Sequence, residues 1–192
     1  MRPLKILFTS YIKKKFKGID ARLFDLEVAV NCLIESPKYV ASDHIGFNGQ
    51  RFRKNIFIDI LGAIDFQAIV ETGTWIGDTT GYMAEVSKLP VYSCESNPKI
   101  YQIAKMRLSD FRTISLELGD SRSYLNKLGS NLLSQKPVFF YLDAHWNEDF
   151  PLIEELRIIA NSWNDFVVMI DDFMVPGDAG YKYDNYGKGK VT

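Results

Sequence analysis

The sequence predicts a doubly wound α/β domain built on a parallel sheet. Three observations predict it. Five short β-branched or aromatic runs recur along the second two thirds of the chain: Ala68–Val70, Val91–Cys94, Ile114–Leu118, Val138–Leu142 and Val167–Ile170. Several of these are continuously apolar rather than alternating, as suits strands buried on both faces. Helical patterns fill the intervals, which gives the β-α-β alternation of right-handed crossovers.

Each element has a local reason. Gly77–Lys88 follows the first strand as a helix. Asn97 is a good N-cap, and Pro98 suits the first helical position, so Pro98–Phe111 reads as the second helix. Ser121–Leu133 reads as the third, with Gly129 a weak point inside it. Pro151 opens Leu152–Asn161, which carries Leu152, Leu156 and Ile159 on one face. Upstream, Asp20–Ser36 and Phe52–Ile64 read as two further helices that cover the sheet or its site. The expected organisation is a basic arm and helices over residues 1–64, packed on a ligand-binding core over 65–192.

Composition narrows the class. The chain has 192 residues, 46% hydrophobic and 24% charged, which is ordinary globular composition and supports a core without staples. Two cysteines, Cys32 and Cys94, exclude a disulfide framework and a four-cysteine zinc site. Two histidines, His44 and His145, leave little for a histidine-rich metal site. No window approaches the ~20 apolar residues of a membrane span. Residues 1–17 hold six basic side chains and no acid; the remainder has 17 basic against 24 acidic residues. An acidic body argues against a nucleic-acid partner, which needs basic charge to displace counterions. The basic arm reads as a solvated tail or first helix, with weak contact to a membrane surface as the alternative. The cytoplasm is the expected compartment.

An acid ends every strand: Glu71, Glu95, Asp120, Asp143, then Asp171 and Asp172. In a parallel sheet all of them lie at the carboxyl edge, where open α/β folds bind ligands. Such a row needs a cation, a hydroxyl-rich or N–H-rich ligand, or arginines to compensate it. The plain alternative is that acids follow strands as helix N-caps. After the first strand comes Glu71-Thr72-Gly73-Thr74-Trp75-Ile76-Gly77. Its glycines let a ligand approach the backbone and free N–H groups at the helix start. Neither the dinucleotide fingerprint nor the P-loop is present. A carboxylate ahead of the turn suits a ligand with an amine and a sulfonium better than a pyrophosphate. Glu95 stands where an acid grips ribose hydroxyls, and Asp120 with Ser121 can meet an adenine amine.

The run resembles class I S-adenosylmethionine-dependent methyltransferases. PVFFYLDAHWNEDFPLIEEL and VVMIDDFMVPGDAGYKYDNYG resemble the macrocin O-methyltransferase type, which modifies sugars and natural products. The resemblance covers roughly residues 65–190. It implies a Rossmann-like sheet of strand order 3-2-1-4-5 and S-adenosylmethionine as cofactor. The cofactor would be held by Glu71, Thr72, Gly73, Gly77, Glu95, Ser96, Asp120 and Ser121. It further implies a magnesium-type ion on Asp143, Asp171 and Asp172, with Asp143 and His145 as the catalytic pair. In that reading the ion lowers the pKa of a small-molecule hydroxyl and His145 takes its proton. Trp146 would wall the acceptor pocket, and the loop Val175–Gly187 would be a lid.

The family usually adds a sixth and a seventh strand, and neither is visible after Asp171. The expectation is a fragment of a longer protein, or a partner such as a second copy covering an exposed apolar edge at Val167–Ile170. Other readings are a metal-independent methyltransferase, a non-catalytic nucleoside-binding protein, a metal-dependent sugar-nucleotide transferase using Asp143-x-His145, and a dinucleotide oxidoreductase.

Overall fold

A computed structural model describes residues 46–130, 135–144 and 150–171, together with 37–40 and the single positions 23, 27, 30, 31 and 34. Five strands form one parallel sheet: β1 (Ala68–Thr72), β2 (Val91–Glu95), β3 (Ile114–Leu118), β4 (Val138–Leu142) and β5 (Phe166–Ile170). Their order is β3-β2-β1-β4-β5, as the sequence predicts. Helices α1 (Arg51–Ala63), α2 (Asp78–Ser87), α3 (Pro98–Arg107), α4 (Ser121–Gly129) and α5 (Leu152–Ser162) pack around them. A single 3-10 turn, Phe47–Gly49, precedes α1.

The central strands β1 and β4 are buried at all five positions, which explains their unbroken apolar runs. In register, Val70 lies beside Tyr92 of β2 and Phe140 of β4. Alternate residues serve opposite faces. Val70, Val138, Phe140 and Leu142 pack with Tyr124, Leu125 and Leu128 of α4 and Ile159 of α5. Ile69, Phe139 and Tyr141 pack with Phe57 of α1, Met83 of α2 and Phe47. Phe47 stands edge-on to Tyr141, with ring centroids 5.0 Å apart, and fixes the entry to α1 on the core.

Two helix ends differ from the sequence expectation by four residues each, and the others by no more than one. Helix α3 stops at Arg107 rather than Phe111, because the chain turns at Leu108 and the Phe111 amide bonds back to the Leu108 carbonyl. Helix α4 ends at Gly129, where a side chain would run into Ser162 and Trp163 at the end of α5. The glycine read as a weak point is thus the place where two helices meet. The caps follow expectation: the Asn97 side chain accepts from the Lys99 amide at 3.0 Å, ahead of Pro98. Helix α1 begins at Arg51, one residue before the predicted Phe52, and Phe52 is exposed. β5 and β3 are the outer strands, and β5 is only half-buried. Among the described residues, no helix is long and apolar enough to cross a membrane. Most of the predicted helix Asp20–Ser36, the basic arm and the loop Val175–Gly187 lie outside the described residues.

Candidate functional site

The sheet ladder runs on past the strand ends and sets the carboxyl edge. Gly73 and Thr74 amides both donate to the Cys94 carbonyl at 3.1 Å. Gly119 donates to Glu95, Asp143 to Thr72 and Asp171 to Leu142. Asp143 and Asp171 thereby sit at neighbouring strand ends.

The turn after β1 is tightly specified. Gly73 has φ +85°, and a Cβ there would lie 2.5 Å from the Asp143 carbonyl oxygen. Only glycine leaves room for the β1 and β4 ends to touch. Gly77, at φ +87°, is the N-cap of α2. Between them Trp75 takes φ +50°, which costs a non-glycine residue about 1–2 kcal/mol. Its amide is held by Glu95, whose Oε2 accepts from Trp75 N at 2.9 Å. The other oxygen, Oε1, accepts from Asn97 N at 2.7 Å. One carboxylate at the end of β2 therefore braces the turn after β1 and the start of α3.

Behind the turn lies a buried polar network. Glu71 Oε2 accepts from Ser93 Oγ at 2.6 Å and from Thr80 Oγ1. Ser93 Oγ is also 2.6 Å from Thr74 Oγ1. Glu71 Oε1 is buried with no hydrogen-bond partner. Burial pushes the Glu71 carboxyl up to about 7 against the opposing pull of Ser93 and Thr80. On the other face, Glu155 of α5 is 1% exposed, and burial pushes it up to about 7 as well, opposed by Ser121 and Thr72. Burial also raises the Cys94 thiol well above its ordinary value, which disfavours a thiolate nucleophile.

A pH dependence follows. Both carboxyls titrate higher in the folded chain than the ordinary 4.5. The native state therefore holds protons that the unfolded chain releases. Their stabilising contribution is complete below about 4.5 and is lost as pH rises through about 7. Urea unfolding of a Glu71→Gln/Glu155→Gln protein is expected to show a flatter pH dependence between about 5 and 8 than the wild type. Parallel profiles would contradict the assignment.

Arg107, buried at the end of α3, donates to the Ile76 carbonyl at 2.6 Å and pairs with Asp78 at 2.8 Å. It clamps the turn from below. Asp120 caps α4, accepting from the amides of Arg122 at 3.0 Å and Ser123 at 3.3 Å. The Arg122 side chain holds its carboxyl below the usual range. At this one strand the plain N-cap alternative describes the acid's bonds. Ser121 is buried at the first position of α4, and Ser96 is exposed in the bend after β2.

At the β4–β5 end, Asp171 forms an ion pair with Arg53 of α1, both buried. His145, Trp146 and Asp172 lie outside the described residues. Among the described residues, no three His, Cys, Asp or Glu side chains gather as a cation set. The Asp171 carboxylate of the predicted cation set is thus engaged by a guanidinium. The residues around the turn do fit S-adenosylmethionine: a backbone held in a left-handed path at Gly73, Trp75 and Gly77, and an acid at the β2 end. The sequence reading missed Arg53, Arg107 and Glu155.

No family model matches the chain, and no curated protein matches it. Solved structures do match in fold. The O-methyltransferase TomG from Streptomyces achromogenes, in complex with SAM, has 16% identity over 64% of this chain and 56% of its own, with TM-score 0.54. The Bacillus cereus O-methyltransferase in complex with SAH has 14% identity, coverage of 73% and 60%, and TM-score 0.51. The SAH-bound methyltransferase PaMTH1 from Podospora anserina has 15% identity, coverage of 80% and 62%, and TM-score 0.54. The fold is the Rossmann-like fold of these methyltransferases. The chain spans less than two thirds of the length of each of the three.

Proposed function

We propose that this chain is the cofactor-binding part of a class I S-adenosylmethionine-dependent O-methyltransferase acting on a hydroxyl of a sugar or small natural product. The observation that carries the reading is the glycine turn after β1, held in a left-handed path at Gly73, Trp75 and Gly77 and braced by Glu95. Bound S-adenosylmethionine supplies a methyl group on a positively charged sulfur. The chain's part is to hold that group and to exclude water from it. Gly73 lets the turn fold against the end of β4, and Gly77 caps α2 in the left-handed path that turns the start of that helix toward the ligand. Glu95 fixes the turn and presents its carboxylate beside the ribose position. Asp120 and Ser121 stand at the start of α4, where the adenine would lie. Asp143, next to Gly73 across the strand ends, borders the acceptor side. Transfer to a hydroxyl would release its proton, and His145 is the candidate base to take it. The sugar or natural-product acceptor is supported by the resemblance of residues 137–156 and 167–187 to the macrocin type.

A thermal shift against three ligands tests the reading. S-adenosylhomocysteine at about a hundred times its dissociation constant is expected to raise Tm by about 5–10 °C. NAD and a uridine-diphosphate sugar are expected to leave it unchanged. A shift with either of those and none with S-adenosylhomocysteine would transfer the chain to the oxidoreductase or sugar-nucleotide class.

A further inference from the structure

The first turn of α1 carries Arg51, Arg53 and Lys54 and no acid. A helix N-terminus disfavours cations, so local helix energetics do not account for this cluster. Arg53 and Lys54 are also buried, at 3% and 8% exposure. Lys54 Nζ lies over the Tyr82 ring, 5.1 Å from its centroid. A guanidinium cannot shed its proton to escape burial and must find an anion. Arg53 finds Asp171 at the end of β5, whose side chain is 1% exposed. Each charge contributes to the other's compensation. A divalent cation at Asp171 would have to displace the guanidinium or sit against it, and a second cation on a buried carboxylate is repelled.

We propose that Arg53 takes the place of a divalent cation at the carboxyl ends of β4 and β5, so that methyl transfer by this chain proceeds without magnesium. The proposal rests on the methyltransferase reading. Arg53 acts through Asp171: it holds that carboxylate, closes it to metal, and contributes the positive charge that the acid row needs at this end. It is a positioning residue supplied by the segment before the core.

The test is a titration of the full chain with Mn2+, followed by electron paramagnetic resonance. Manganese shares the oxygen-ligand preference of magnesium. The wild type is expected to leave the metal free, and its affinity for S-adenosylhomocysteine is expected to be the same in chelator and in magnesium. Arg53→Met, which keeps bulk and removes charge, is expected to take up Mn2+ at the freed carboxylate. Metal uptake by the wild type that disappears in Asp171→Asn would overturn the proposal, as would a folded Arg53→Met protein that takes up none. Uptake by the wild type that persists in Asp171→Asn but disappears in Asp143→Asn would overturn it as well, because Asp143 lies at the neighbouring strand end. If Arg53→Met does not fold, the wild type and Asp171→Asn decide. Failure of the wild type to bind S-adenosylhomocysteine would remove the methyltransferase reading, while the Mn2+ result would still decide what compensates Asp171.

Discussion

Gly73→Ala is expected to weaken S-adenosylhomocysteine binding by about tenfold to a hundredfold. Two costs combine. Alanine resists φ +85°, and its Cβ would lie 2.5 Å from the Asp143 carbonyl oxygen and 2.8 Å from the carbonyl carbon. Those atoms are backbone at the end of β4 and cannot rotate aside. The turn must therefore lift away from β4 or the strand ends must part. Either movement carries off the Thr74 amide and the Trp75–Glu95 bond, which position the turn. Isothermal calorimetry reads the affinity, and circular dichroism confirms that the sheet persists. Binding within a factor of about two of the wild type would mean that the ligand does not use this turn.

Arg53→Met is expected to be strongly destabilising, by about 3–5 kcal/mol in urea unfolding. The loss comes from the partner left behind. Asp171 is buried, and without a guanidinium its carboxylate bears the desolvation cost or takes up a proton to escape it. Asp171→Asn is expected to cost a comparable amount by stranding Arg53. The double variant is expected to cost less than the sum of the two, because it removes both charges at once. Strict additivity would show that the two side chains are not coupled. The contrast with Lys127–Glu117 is instructive. That pair is exposed, and exposed pairs contribute about 0–1 kcal/mol.

The sheet was legible because burial on both faces leaves a continuous apolar run. β1, β2 and β4 each begin where the sequence places them, and the observed strands extend no more than two residues beyond the predicted ones. Caps were legible because they are local, as at Asn97 and Asp120. Helix ends were less so. Phe111 continues the apolar pattern of α3 although the chain has already turned. The braces of the site were hardest, because they join distant elements. Yet each carries a periodic signal. Arg53 shares a helical stripe with Phe57, Arg107 follows Ile100, Ile103 and Ala104, and Glu155 shares the face of Ile159. A charge in the middle of an apolar stripe marks a buried ion or acid with a tertiary partner. Read that way, the three residues point inward before any coordinates are known. What no periodicity gives is the partner: nothing in the spacing joins Arg53 to Asp171, or Arg107 to the Ile76 carbonyl.

Calorimetric titration of the wild-type chain with S-adenosylhomocysteine tests the central claim most directly. The account predicts saturable binding at one ligand per chain, since there is one glycine turn. A flat thermogram across the concentration range that saturates methyltransferases would contradict it, and would leave the turn, Glu95 and the buried acids as the frame of a site for another ligand.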